Sequence, residues 1–329
     1  MKIAVLHAHV LIVALAGCAT PAVEEKAMAA AKEEYELFGE FERPEKPDGL
    51  SGITRVGGDR YYAVDDSDGM MYELRLTCDE EGVDGECEIL SSVKLGGRRD
   101  LEGCAFDPLT GWLWVSDESD TTVNAYDPKT GEFRQMLEVP REYVQNVRIN
   151  RSLESLTISP DGKRLYFANE DTLKCDGDVA TREHGGKVRV QEFTRESAAD
   201  KWRCARRFYY ETDPLGGDKY KTYSMSSLAD MAADAEGSLY FLERELSIKD
   251  GFFPTFRCRI YRAGIPAAGA TAAKTLVYEA DSGFANYEGM TLGAPEADGS
   301  KTFVLISDGD GPAVENFAIL KKLKQQKGE

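Results

Sequence analysis

The sequence predicts an all-β fold, a β-propeller of five or six blades with six favoured. Three observations predict it. A strand–turn–strand–strand unit recurs along the chain. The connections carry Pro, Asp and Gly where antiparallel hairpins need them. No long amphipathic helix separates the strands, which argues against an α/β arrangement.

The unit is plainest in Asp100–Pro128. Leu101–Phe106 reads as a first strand. Asp107-Pro108-Leu109-Thr110-Gly111 is a turn, because Pro presets its own φ and Gly accepts φ > 0. Trp112–Ser116 is a second strand, dense in aromatic and β-branched residues, and Thr122–Asp127 is a third. Trp112 and Trp114 are expected to pack between blades.

The other units repeat this order. Unit one starts at Gly49-Leu50-Ser51-Gly52, with strands at Arg60–Val64 and Met70–Leu76. Unit three starts at Ser152-Leu153-Glu154-Ser155, turns at Ser159-Pro160-Asp161-Gly162 and continues through Arg164–Ala168. Unit four starts at Ser227-Leu228-Ala229-Asp230, turns at Glu236-Gly237 and continues through Ser238–Leu242, with an outer strand at Arg257–Arg262. Unit five starts at Tyr287-Glu288-Gly289-Met290 and continues through Thr302–Ile306. Starts about 50 residues apart at first, and wider later, match one blade of three or four strands. Lys201–Thr212 could add a hairpin. Glu36–Arg43 and Asn316–Leu323 could close a sixth blade from the two chain ends.

Residues 1–18 read as a signal: one Lys, an apolar run from Ile3 to Leu15, then Leu-Ala-Gly-Cys. The run is too short to span a bilayer as a mature helix. The Leu-Ala-Gly-Cys ending resembles the bacterial lipobox. That resemblance makes Cys18 a lipidated N-terminus and the bilayer a partner. Ala19 follows it rather than a retention-type Asp, so the expectation is an exported protein on the outer membrane, facing the periplasm or the cell surface. Residues 19–41 read as a tether, with a short helix at Glu24–Leu37 as an option, and 42–325 as the folded domain.

Composition narrows function by exclusion. The net charge is −18, which disfavours nucleic acid, because its binding depends on Lys/Arg contacts with phosphate. His7 and His9 lie in the signal, leaving His184 in a Gly-containing surface loop, so a multi-His zinc site is excluded. No Gly-x-Ser-x-Gly elbow is present, and Ser116 and Ser307 read as turn caps. Six Cys follow Cys18, an even number that suggests disulfides in an exported chain. Cys78 with Cys87 is the favoured pair, Cys175 with Cys204 the next, and Cys104 with Cys258 what is left over.

In a propeller the first strand of each blade lines the central channel. The same place in successive units carries Ser51, Glu102, Glu154, Asp230 and Glu288. The second strands end on Asp66, Asp117 with Glu118, Asn169 with Glu170, Glu243 and Asp308. Two carboxylates about 6 Å apart at an effective dielectric near 20 repel by roughly 3 kcal/mol, so such a mouth needs a cation, basic neighbours or raised pKa values. Ca²⁺ suits these oxygen donors, and Glu102, Glu154, Asp230, Glu288, Asp117 and Asp308 are its candidate ligands. Arg98, Arg99, Arg151 and Arg244 lie beside them and could pair with them instead.

Asp100-Leu101-Glu102-Gly103 with Trp114-Val115-Ser116-Asp117-Glu118, Asn150-Arg151-Ser152-Leu153-Glu154-Ser155-Leu156 with Ser159-Pro160-Asp161-Gly162, and Tyr287-Glu288-Gly289-Met290 with Ile306-Ser307-Asp308 together resemble the phytase-like (esterase-like activity of phytase) family. The resemblance covers about residues 49–310. Ser155 departs from it, standing where the family usually has Gly, and so does Ser51. It implies an exported propeller-like domain. One expectation is a Ca²⁺-dependent hydrolase of esters or phosphoesters, with Glu102, Glu154 and Glu288 as candidate catalytic residues. The alternative is a non-catalytic propeller that binds a protein, glycan or small ligand. Phytate, a polyanion, suits the net charge poorly, and no Arg-His-Gly motif for histidine phytase chemistry exists.

Overall fold

The computed structural model describes residues 35–42, 49–78, 84–97, 100–216, 223–248, 254–283, 285–295, 299–308 and 320–325. In chain order the elements are β1 (Tyr35–Glu42), β2 (Leu50–Gly57), β3 (Arg60–Asp65), β4 (Met70–Cys78), β5 (Asp84–Lys94), β6 (Leu101–Phe106), β7 (Leu113–Asp117), β8 (Thr122–Tyr126) and β9 (Phe133–Met136). A short helix α1 (Arg141–Asn146) precedes β10 (Leu153–Ile158), β11 (Arg164–Asn169), β12 (Lys187–Thr194), β13 (Arg203–Glu211), β14 (Tyr223–Ala233) and β15 (Ser238–Ile248). The chain continues through β16 (Pro254–Gly264), β17 (Lys274–Gly283), β18 (Asn286–Leu292), β19 (Thr302–Asp308) and β20 (Leu320–Gln325).

The fold is an all-β propeller, with four sheets where the sequence led us to expect five or six separate blades. Three sheets are four-stranded antiparallel meanders: β6–β9, β10–β13 and β14–β17. The fourth has eight strands in the order β18-β19-β20-β1-β5-β4-β3-β2. It is continuous because β1 pairs antiparallel with β20 on one side and parallel with β5 on the other. Residues read as tether therefore supply the strand that joins the two ends of the ring. Tyr35–Leu37, at the end of the optional helix, is strand; residues 19–34 lie outside the described residues. Lys201–Thr212 is not a hairpin: β13 is the single outer strand of its blade.

The turns form for the reasons seen in the sequence. At 107–111 the Asp107 carboxylate accepts the Leu109 N–H at 3.0 Å and the Thr110 hydroxyl at 2.6 Å, and Gly111 takes φ 72°. Between blades the core is aromatic and aliphatic. Trp114 is fully buried and meets Trp202 edge-on at 6.2 Å, within a cluster that also holds Leu153, Leu156 and Phe193 of the next blade.

The inner strands β2, β6, β10, β14 and β18 follow one another in a closed ring. Two devices bring their backbones together. A Cβ on Gly52 would lie 2.2 Å from the Glu102 carbonyl oxygen, and one on Gly103 would lie 2.3 Å from that of Glu154, so only Gly permits this approach. Lower down, Thr hydroxyls accept backbone N–H groups of the neighbouring strand: Thr54 from Phe106, Thr157 from Ala233 and Thr291 from Arg55.

The expected disulfides do not form: none of Cys78, Cys87, Cys104, Cys175, Cys204 and Cys258 is joined to another. For the favoured pair the reason is register. Cys78 faces Gly85, and Cys87 faces Leu76, so the two thiols are diagonal neighbours about 7–8 Å apart at the backbone, beyond disulfide reach. Cys104 and Cys258 sit in different core clusters. Cys18 lies outside the described residues.

Candidate functional site

Every inner strand carries a register irregularity at its mouth end. It falls between Leu50 and Gly52, between Leu101 and Cys104, between Leu153 and Ser155, between Leu228 and Asp230, and between Tyr287 and Gly289. A bulge re-aims the extra side chain. The residues so placed are Ser51, Glu102, Glu154, Ala229 and Glu288, with Gly103 inside the wider bulge of β6.

This corrects one predicted ligand. Asp230 sits one residue further on, at the place of Gly52, Gly103 and Gly289. Its carboxylate accepts the Met290 N–H at 2.8 Å and the Met231 N–H at 2.7 Å, tying β14 to β18. It is completely enclosed, and burial pushes its carboxyl well above the ordinary range against the pull of these N–H groups. Asp230 is a strut of the ring.

Asp117 is also placed differently. Its carboxylate accepts the Ser119 hydroxyl at 2.5 Å and so caps its own turn. The next residue, Glu118, reaches the mouth, where its Oε1 accepts the Ser152 N–H at 2.7 Å. Ser116, read as a turn cap, instead fills the bulge: its hydroxyl accepts the Gly103 N–H at 2.8 Å. His184 is exposed on its loop, with Nδ1 3.0 Å from the Gly185 carbonyl oxygen.

The mouth has two halves. In one, Asp100, Glu102 and Glu118 bring carboxylate oxygens within 4.8 Å of one another. Glu102 is 8% exposed, and among the described residues nothing donates a hydrogen bond to its carboxylate. Burial, then the charges of Glu154 and Glu288, raise its carboxyl well above the ordinary range. Burial also raises Glu118 and Asp100. Three converging oxygen donors and no nitrogen or sulfur form the donor set of a hard cation such as Ca²⁺. Asp100 was not among the predicted ligands. It takes φ 61° immediately before β6, as Gly49 takes φ 67° immediately before β2.

The other half centres on Arg244, the residue of β15 that stands where the other second strands bring Asp66, Glu118, Glu170 and Asp308. Its Nη2 donates to Glu170 Oε1 at 2.6 Å, and its Nη1 donates to Asn286 Oδ1 at 2.9 Å and to Glu288. Glu154 Oε1 lies 3.9 Å from Nη2. Arg151 adds a second cation, with Nη1 2.6 Å from both oxygens of Glu170. The one blade with Ala at the inner position thus supplies Arg244 beside it. Glu154 is raised well above the ordinary range by burial and by Glu170, against Arg244. Glu288 is raised to about 8, chiefly by burial, with Arg244 opposing and Asp308 adding to it. Arg98 and Arg99 lie outside the described residues.

Fold and mouth together define a class: a propeller whose channel opens through a ring of bulged acidic residues. Within that class the chain belongs to the phytase-like family, described as having the esterase-like activity of phytase, whose model matches residues 46–311. Among curated proteins none matches. Similar solved structures are the PQQ-bound aldose sugar dehydrogenase of Streptomyces coelicolor (11% identity, 90% of this chain and 99% of that one, TM-score 0.48) and a glutaminyl cyclase of Myxococcus xanthus (10%, 90% and 98%, TM-score 0.46). A gluconolactonase of Xanthomonas campestris is a third (10%, 89% and 90%, TM-score 0.40).

Proposed function

We propose that the mouth is the active site of a Ca²⁺-dependent hydrolase of esters or phosphoesters. The convergence of Asp100, Glu102 and Glu118 carries this reading, because three carboxylates whose oxygens lie within 4.8 Å of one another offer a cation its oxygen donors. Asp100, Glu102 and Glu118 would hold Ca²⁺, which supplies Lewis acidity towards a carbonyl or phosphoryl oxygen. Glu154, between this set and Arg244, is the candidate to take a proton from the attacking water. Arg244, fixed by Glu170, Asn286 and Glu288, lies 3.9 Å from Glu154 and opposes the rise of its carboxyl. Asp308, close enough to Glu288 to raise it, belongs to the second half. We propose further that the domain works at the outer membrane, held to the bilayer by a lipid on Cys18.

The test is calorimetric titration of the full chain with Ca²⁺, beside Glu102→Gln and Glu118→Gln, followed by a screen of esters, lactones and phosphoesters with and without EDTA. Micromolar or tighter binding that both variants lose, together with turnover lost in Glu154→Gln, supports the proposal. No binding by the wild-type chain sinks it. Binding without turnover on any substrate moves the mouth to a non-catalytic ligand site.

A further inference from the structure

The blade β14–β17 is taller than the others. β14 begins at Tyr223, five residues before Leu228, whereas β10 begins at Leu153, the residue in the equivalent place. β15 runs on to Ile248, five residues past Glu243, and β16 pairs with it throughout. The three strands therefore stand as a wall above the acidic mouth, with Arg244 at its foot.

The wall is inverted in polarity. Side chains alternate along a strand, and directly opposed residues share a face. Arg244 points into the mouth, so its face carries Leu246 and Ile248 with their partners Met225, Tyr223 and Phe256. These five are only partly buried or exposed, Tyr223 at 48%, and none belongs to a described hydrophobic cluster. The opposite face carries Ser226, Glu245 and Ser247, buried at 2%, 3% and 4% exposure, opposed by Ser224 and Arg257, which are partly buried, and Thr255, which is exposed. There Arg259 Nη2 donates to Glu245 at 2.8 Å, and a Cβ on Gly216 of the preceding blade would lie 3.6 Å from that carboxylate. A wall built only for stability buries its apolar side. This one buries Ser226, Glu245 and Ser247 on its polar side and leaves Met225, Leu246 and Phe256 partly exposed on the side that carries Arg244.

We propose that this apolar face binds the acyl or aryl part of an ester substrate. The substrate class is then a neutral ester with a hydrophobic acyl group, rather than a multiply phosphorylated polyanion. The proposal rests on the hydrolase reading for the reaction but not for the binding. Its occupant follows from continuity: the face begins at Arg244 and Ser227, so a scissile group in the mouth leaves its substituent along Met225, Leu246 and Phe256. A mouth lined by Glu102, Glu154 and Glu288 repels added negative charge, whereas an uncharged chain meets no such cost.

The experiment compares two amides that are not consumed as esters are, the N-octanoyl and N-acetyl derivatives of 7-amino-4-methylcoumarin. Their binding to the full chain in Ca²⁺ is followed by fluorescence. The octanoyl amide is expected to bind at least tenfold more tightly. In the double variant Met225→Ser, Leu246→Ser the gap is expected to shrink below threefold. Equal affinity of the wild-type chain for the two amides overturns the proposal, whatever the variant does. In parallel, 4-nitrophenyl acetate and octanoate are assayed for turnover. Tighter octanoyl binding without ester turnover leaves the wall standing and sinks the hydrolase. Turnover indifferent to chain length with equal amide binding does the reverse.

Discussion

Arg244 Nη2 lies 2.6 Å from Glu170 Oε1, joining the second strand of one blade to the second strand of the blade before it. The same guanidinium reaches Glu288 of the blade after it, so one side chain from one blade ties three together. Arginine suits this place because its planar fork donates in several directions and stays charged when buried.

Replacing Arg244 by Met removes the shared cation and leaves Glu154, Glu170 and Glu288 enclosed without it. The expected loss is about 3–5 kcal/mol, the range for breaking a buried ion network from one side. Arg244→Lys is expected to recover little, since an ammonium cannot serve three acceptors in that plane. Urea unfolding at pH 7.5 in EDTA measures both. A loss under 1 kcal/mol in Arg244→Met would mean that the network stabilises nothing.

Glu288 gives the metal-free protein a pH dependence. Its carboxyl is raised to about 8 in the folded chain and returns to its ordinary value of 4.5 on unfolding. Between these values the folded chain holds a proton that the unfolded chain has released. The contribution of Glu288 to stability is therefore greatest below about 4.5 and is lost as pH rises towards 8. Urea midpoints at pH 5, 6, 7 and 8 in EDTA should fall, and Glu288→Gln should flatten the fall. Equal slopes in the two proteins would remove Glu288 as the cause.

Asp230 and Glu102 separate the strut from the site. Asp230→Ala leaves the Met231 and Met290 N–H groups buried without their acceptor, at a cost of about 2–4 kcal/mol. Its Ca²⁺ affinity should stay within about twofold of wild type. Glu102→Gln should show the opposite pattern, with stability in EDTA held and Ca²⁺ binding lost. Loss of Ca²⁺ binding in a folded Asp230→Ala protein would return that residue to the ligand set.

Much of the fold could be read in the sequence, because its signals are local. Asp107-Pro108 with Gly111 makes its turn from its own side chains, and Trp112–Ser116 advertises a strand. Glu102, Glu154 and Glu288 were legible as one set because each follows a large apolar or aromatic residue, Leu101, Leu153 or Tyr287, at the start of its unit. Ala229 was not, since a bulge shifts register by one residue, and Asp230 beside it has the chemistry that the pattern seemed to want. The same one-residue slip exchanged Asp117 for Glu118. Asp100 escaped notice because its role comes from a left-handed backbone rather than from spacing. The two chain ends were legible as a closing pair, and β1 does pair with β20; the sheet count was misread because β1 also pairs with β5, which joins the first and last units into one sheet.

That pairing also sets an order of events during synthesis. Tyr35 emerges from the ribosome some 290 residues before its partner Gln325. Until then β1 has β5 on one flank and bare backbone on the other. Closing a loop of that length carries an entropic cost of about 5 kcal/mol beyond a constant. The ring is therefore completed only after the last strand is made.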